Sequence, residues 1–388
     1  MTARPFLPYG RQTIEDDDVE AVVAALRADF LTTGPTVAAF ETAVAEKVGA
    51  AHAVAASNGT ATLHLAMMAL GVGEGDVCIV PSVTFLATAN CARYVGAEVV
   101  FADVDPDSGL MTPGTLADAL KRAAGRRVKA VLPVHLRGDV VDLPGLKALA
   151  DNAGAVLVED APHALGSTAV FGNEAMTVGD CRWSAMASFS FHPVKTIATG
   201  EGGMLTTNDA ELAARLRSLR SHGMSRPAGA DPWVYEMAEP GFNYRLPDIN
   251  CALGLAQLAK LDRFAERRRA LAARYDELLT PLGPTVRLAR SPEGSRPVLH
   301  LLTVLIDFAG ADATRADVVR RLAEQGVGSQ VHYIPVHTQP YYRARYGELD
   351  LPGARAWYER CLTLPLFPGM ADDDVDRVVD ALRDALGF

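Results

Sequence analysis

Through most of its first 210 residues the chain alternates short apolar runs with amphipathic ones. The runs AHAVAAS (51–57), VCIVPS (77–82), EVVFADV (98–104), VKAVLPVHL (128–136), AVLVEDA (155–161), MASFSF (186–191) and GMLTTN (203–208) have the length and composition of strands. Several are nearly continuous in apolar side chains, as in strands covered on both faces. Between them, TPGTLADALKRAA (112–124) and LPGLKALADNAG (143–154) repeat their apolar positions at helical spacing. This alternation predicts an α/β fold, a large and mostly parallel sheet with helices on both sides. Ligands of such sheets bind beyond the carboxyl ends of the strands, so the loops after Ser57, Ser82, Glu159 and Phe191 are the ones to watch.

A glycine- and proline-containing stretch around 224–247 reads as a long loop between two halves. The helical pattern INCALGLAQLAKLDRFAERRRALAARYDELL (249–279) then leads into a smaller C-terminal α/β unit. There, strands are expected at VLHLLTVLI (298–306) and GSQVHYIP (328–335), and helices near 312–325, 353–362 and 371–386. The predicted division is a large domain over 1–248 and a small one over 249–388.

Composition narrows the class. The 388 residues are 49% apolar and 22% charged, which suits a globular protein with a large core. A net charge of −10 argues against nucleic acid or an anionic membrane as the main partner. The five cysteines, Cys78, Cys91, Cys181, Cys251 and Cys361, form no C-x-x-C pair, so neither disulfide framework nor metal site is expected, and a reducing cytoplasm fits. The opening MTARPFLPYGRQ has no apolar export core, and no run is long enough to span a membrane.

Five groups carry the candidate chemistry. In SNGTATLHLAM (57–67) the chain passes from strand to helix through Asn58, Gly59 and Thr60, and the free N–H groups of a helix start suit a phosphate. Helix capping by Thr60 after a turn glycine would look the same. Phe85, in the next loop, either joins the core or covers a flat ring. Asp160 closes a strongly apolar run, where a carboxylate needs a cation or strong donors. A protonated pyridine nitrogen would serve, and so would a helix cap or a buried pair with Arg182. Lys195 lies in SFSFHPVKTIATGEGGM (188–204), where burial would lower its pKa and make it a nucleophile toward an aldehyde. Ser190 offers a hydroxyl from the same strand end, and the glycines that follow would let the backbone pass close to a ligand. Asn243, in GFNYRLPDIN (241–250), faces a polar target or stabilises a turn. Together, the anion site, ring-covering aromatic, carboxylate and amine describe pyridoxal 5′-phosphate.

The order of these groups resembles the DegT/DnrJ/EryC1/StrS family of sugar aminotransferases. The matching stretches are LTTGPTVAAFE (31–41), NGTATLHLA (58–66), TFLATAN (84–90), VEDAPHALGS (158–167), SFHPVKTIATGEGG (190–203), GFNYRLPDINCALGLAQL (241–258) and QVHYIPVHTQPYY (330–342). The resemblance implies the fold of type I pyridoxal-phosphate-dependent transferases, as in aspartate aminotransferase. It implies that Lys195 joins the cofactor aldehyde, Asp160 pairs with the ring nitrogen, and Phe85 and His163 contact the ring. Gly59, Thr60 and Ser190 would hold the phosphate, Asn58 beside them would bind the cofactor, and Asn243 would reach the phosphate of the cofactor in a neighbouring subunit of a homodimer with shared sites.

Within the family the likeness is greatest to the branch that makes UDP-4-amino-4,6-dideoxy-N-acetyl-β-L-altrosamine for pseudaminic acid, a precursor of flagellin glycans and surface polysaccharide. On that likeness the substrates are a nucleotide sugar and L-glutamate. Tyr9, the segment Asp29, Phe30, Leu31 and Thr32, and the segment Gln330, Val331, His332 and Tyr333 would line the sugar site beside Ser190 and Asn243. Arg11, Arg226 and Arg245 are candidates for the diphosphate. The chain departs from the branch at SNGTATLH, at GEGG and at Pro162. A perosamine-type aminotransferase is the alternative. A cofactor-dependent sugar dehydratase, which replaces the lysine, is disfavoured by Lys195.

Overall fold

The computed structural model describes residues 5–388, so Met1–Arg4 of the segment read for an export signal lie outside the described residues. The chain opens with helices α1 (Asp16–Leu26) and α2 (Pro35–Val48), which the apolar pattern did not single out. Pro35 stands in the first turn of α2, where no intrahelical N–H is needed, and Gly49 ends the helix in the left-handed region. The strand runs then appear nearly where expected: β1 (His52–Ala56), β2 (Asp76–Pro81), β3 (Glu98–Ala102), β4 (Arg127–Val131) and β5 (Val156–Asp160). A short hairpin follows, β6 (Thr168–Phe171) and β7 (Glu174–Thr177), then β8 (Met186–Ser190) and β9 (Gly203–Thr207).

The main sheet has seven strands in the order β1-β9-β8-β5-β4-β2-β3. Only β9 runs against its neighbours, so six strands present their carboxyl ends on one edge. The nearly continuous apolar runs follow from burial: β2 is buried at every position and β9 likewise. Helices α3 (Gly59–Ala69), α4 (Leu86–Tyr94), α5 (Pro113–Arg122), α6 (Leu143–Asn152) and α7 (Ala210–Arg220) fill the connections. The stretch 224–247 is mostly loop, with a two-residue pairing of β10 (Met224–Ser225) and β11 (Glu236–Met237).

The single long helix expected over 249–279 is instead two, α8 (Asp248–Leu258) and α9 (Leu261–Leu279). At the break, Lys260 turns into the acidic start of α1, with Nζ 2.5 Å from Asp17, 2.8 Å from Asp18 and 3.4 Å from Glu15. The hydrophobic packing changes hands inside α9. Cys251, Leu258 and Leu261 belong to the core around the large sheet, and Leu271 begins a second core with Tyr275 and Leu279. That core covers the antiparallel sheet of β12 (Val286–Leu288), β14 (Leu302–Ile306) and β15 (Cys361–Leu364), flanked by α10 (Arg315–Glu324) and α13 (Asp372–Leu386). Strand β13 (Ser295–Arg296) pairs with β6 and ties the two parts together.

The expected strand at 328–335 does not form. Gln330 makes one bridge to Thr363, and Pro335 lacks the N–H that a ladder would need next. The third strand of the small sheet is β15, where helix was expected to run to residue 362; α12 (Pro352–Arg360), which follows α11 (Pro340–Tyr346), stops before it.

Segment 330–333 is held from behind by Trp357, a fully buried side chain whose Nε1 donates to the His332 carbonyl at 3.0 Å. Replacing Trp357 by Ala should cost about 3–5 kcal/mol, read as a lower denaturation midpoint at unchanged slope. Trp357→Phe should cost about 1–3 kcal/mol, because it leaves that buried carbonyl without its donor.

Candidate active site

A cavity of about 910 Å³ opens at the carboxyl edge of the large sheet. Asn58 ends the turn after β1 and caps α3, its Oδ1 accepting from the Ala61 N–H at 2.8 Å. Gly59 and Thr60 begin the helix, where first-turn N–H groups have no helical acceptor, and both line the cavity. A Cβ on Gly59 would sit 2.8 Å from Ser190 Cβ, so only glycine lets the helix start come this close to the end of β8. The glycines after Lys195 were expected to make room for ligand; two of them, Gly202 and Gly203, make room for protein. A Cβ on Gly203 would lie 2.6 Å from the Asn58 carbonyl, because β9 runs directly against the phosphate-type turn.

Phe85 caps α4 and is 57% exposed, its ring 6.2 Å from that of Tyr333 across the cavity. The core alternative for Phe85 is therefore overturned. Asp160 ends β5 and is 4% exposed. Its Oδ2 accepts from Thr88 Oγ1 at 2.5 Å, while Oδ1 is buried with no hydrogen-bond partner. The Arg182 alternative fails, since that guanidinium faces Glu174 and Asp180 instead. Burial lifts the Asp160 pKa to about 6 against the Thr88 hydrogen bond and the nearby Lys195. Lys195 is pushed down to about 8 by burial, with the Asp160 carboxylate opposing. An amine that holds its proton less tightly than usual and an under-satisfied carboxylate thus face one cavity.

His163, Tyr9, Gln330, Val331, His332 and Tyr333 also line it. The N-terminal segment reaches the site because Leu7 bridges Val327 and the Tyr9 carbonyl accepts from Leu366, bringing the Tyr9 ring 5.4 Å from His332. Burial drives His332 down to about 3.

Other expected residues do not join this cavity. Asp29, Phe30, Leu31 and Thr32 are exposed before α2, where the Asp248 carboxylate takes the Gly34 and Thr36 N–H groups. Asn243 is exposed and pairs with Ser221. Arg11, Arg226 and Arg245 are not among its lining residues, which leaves Lys195 as the one lysine or arginine lining it among the described residues. Sequence reasoning missed Thr88, His64, Tyr94 and Tyr244. Thr88 was findable: it stands three residues after Phe85 on α4, one helical turn on the same side.

The family model described as the DegT/DnrJ/EryC1/StrS aminotransferase family matches residues 12–383. The chain belongs to that family, and is a pyridoxal-phosphate-dependent sugar aminotransferase. It is 40% identical to the spore coat polysaccharide biosynthesis protein SpsC of Bacillus subtilis strain 168, over 98% of this chain and 97% of the relative. Among solved structures it is similar to Helicobacter pylori PseC, an aminotransferase involved in the biosynthesis of pseudaminic acid. The TM-score is 0.89 at 27% identity, covering 98% of this chain and 99% of that one. It is also similar to the sugar aminotransferase Spr1654 of Streptococcus pneumoniae in its pyridoxal-phosphate form, with TM-score 0.88 at 28% identity over 98% and 99% of the two chains.

The cavity's polar groups suit that cofactor: an unpaired carboxylate oxygen to accept from a protonated ring nitrogen, first-turn N–H groups to donate to a phosphate, and an amine for an aldehyde. Without cofactor, Lys195 should react with an amine-directed acylating reagent with a midpoint near pH 8, well below surface lysines. In Asp160→Asn that midpoint should move lower, because the carboxylate that favours the ammonium form is gone; peptide mapping of the labelled site checks both.

Proposed function

We propose that the chain transfers the amino group of L-glutamate to the C4 keto group of a UDP-linked 4-keto-6-deoxy-N-acetylhexosamine, forming UDP-4-amino-4,6-dideoxy-N-acetyl-β-L-altrosamine. The observation that carries the chemistry is the presence in one cavity of Lys195 and an Asp160 whose Oδ1 has no hydrogen-bond partner. When bound, the cofactor supplies an aldehyde and a ring that withdraws electrons from a carbon losing its proton. Asp160 holds the proton on the ring nitrogen. Gly59, Thr60, Asn58 and Ser190 hold the phosphate, and Phe85 and His163 cover the ring. Lys195 Nζ, unprotonated at little cost, takes the proton from the glutamate α-carbon and delivers one to sugar C4 in the return half.

The sugar assignment is supported by the Helicobacter pylori relative and by the stretches quoted above. Tyr9 and Gln330–Tyr333 would contact the sugar. Because no arginine among the described residues lines the cavity, a homodimer is supported in which Asn243, the Asp29–Thr32 segment and a surface arginine serve a neighbouring site. A second reading, another 4-amino-sugar aminotransferase, is favoured by the higher identity to the spore coat polysaccharide protein.

The holoenzyme should be yellow, and Lys195→Ala should lose the visible band while staying folded. Borohydride followed by peptide mapping should label Lys195; a label elsewhere defeats the assignment. Asp160→Asn should keep cofactor but slow turnover by on the order of 10²-fold or more. A panel of UDP-, GDP- and dTDP-4-keto-6-deoxy sugars with L-glutamate, read by product mass and proton couplings, decides between the two sugar readings.

A further inference from the structure

One wall of the cavity carries a short relay whose polarity follows from its first donor. The backbone N–H of Arg137 donates to His163 Nδ1 at 3.2 Å, so that nitrogen bears a lone pair. The His163 ring is buried and packed on His300, with centroids 4.4 Å apart. Burial, with Lys195 and His332 nearby, holds its pKa well below the usual imidazole range. A neutral imidazole that accepts at Nδ1 keeps its proton on Nε2. That nitrogen lies 3.3 Å from the Tyr333 hydroxyl oxygen, which therefore accepts. The phenol's own hydrogen then has no acceptor among the described residues, and Tyr333 lines the cavity.

We propose that Tyr333 is a catalytic residue whose hydroxyl, oriented by His163, donates a hydrogen bond into the cavity to an oxygen carrying negative charge. Two oxygens have that chemistry: the keto oxygen of the sugar, which would gain negative charge as its carbon is attacked by an amine, and the ring hydroxyl oxygen of the cofactor, when ionised. The inference rests on the aminotransferase reading of the same cavity. Its geometry is independently fixed. Trp357 holds the His332 carbonyl immediately before Tyr333, and the His300 backbone N–H donates to the Arg137 carbonyl at 2.8 Å, which ties the residue whose ring packs on His163 to the segment that donates to it. Burial, with Tyr9 and Asp160 close by, raises the Tyr333 pKa, so the phenol stays protonated and a donor through the alkaline range. His163 is a positioning residue in this scheme, acting through the tautomer it presents.

Tyr333→Phe removes only the hydroxyl, so it tests the donor without opening a hole. Three measurements on the holoenzyme separate the outcomes: a pH titration of the resting absorbance, the rate of conversion by L-glutamate, and the rate of return on adding the keto sugar. If the partner is the sugar oxygen, the return half slows by on the order of 10²-fold, with titration and donor half unchanged. If it is the cofactor oxygen, the titration midpoint shifts and both halves slow. All three matching wild type within twofold would overturn the proposal. A wild type that takes up no cofactor would remove the reading beneath it instead. Independently, ¹⁵N-histidine spectra should give one ring with Nε2 protonated and Nδ1 bare whose Nε2 signal moves in Tyr333→Phe; a proton on Nδ1 would sink the orientation argument.

Discussion

A carboxylate sealed at the end of a parallel strand with one oxygen left unpaired is the constraint on which this site turns. A buried unsatisfied acceptor costs roughly 1–3 kcal/mol, and more when it is ionised. Asp160 bears that cost because Thr88 satisfies only Oδ2 and the apolar strand walls exclude water from Oδ1. Whatever donates to Oδ1 recovers the energy, which makes the position an electrostatic socket for a protonated ring. Burial lowers the proton affinity of Lys195 at the same cavity and raises that of Asp160, so the amine gives up its proton more readily and the carboxylate holds one more readily than either would in water.

The large sheet holds the other groups in register with that socket. Six strands pointing one way put Asn58, Phe85, Asp160 and Ser190 on one edge, and the lone reversed strand, β9, lets the chain fold back behind Lys195. Gly59 and Gly203 allow the helix start to nest between β8 and β9, so the anion-type turn is set by backbone contact on two sides. The small sheet contributes from across the cavity: β15 receives Gln330, and Trp357 pins the turn that carries His332 and Tyr333.

Much of the fold was legible. Short strand-like runs marked all seven strands of the large sheet within a few residues, several of them nearly continuous in apolar side chains because strands buried on both faces leave little room for polar positions. Where reading failed, a tertiary contact outweighed local pattern. The helical periodicity of 249–279 runs through Lys260, yet the acidic start of α1 captures that side chain and the helix breaks there. The β-rich composition of 328–335 suggested a strand, but its residues turn toward the cavity and Pro335 ends any ladder. In the site, Lys195, Asp160 and Phe85 were each ambiguous alone and convincing as an ordered set. Thr88 escaped although it stands one helical turn past Phe85, because that position gains meaning only once Asp160 is seen to face it.

The sequence by itself determined the strand–helix alternation, the order of the chemical groups and hence the family, since these depend on periodicity and on residue types along one dimension. Only the tertiary structure decided that Oδ1 of Asp160 is unpaired, that Phe85 faces the cavity, that the glycines serve backbone packing, and that Asn243 and Asp29–Thr32 lie away from this chain's own cavity. Pairing, burial and hydrogen-bond satisfaction depend on groups distant in sequence meeting in space, and no local pattern of residues encodes which of two oxygens will find a donor.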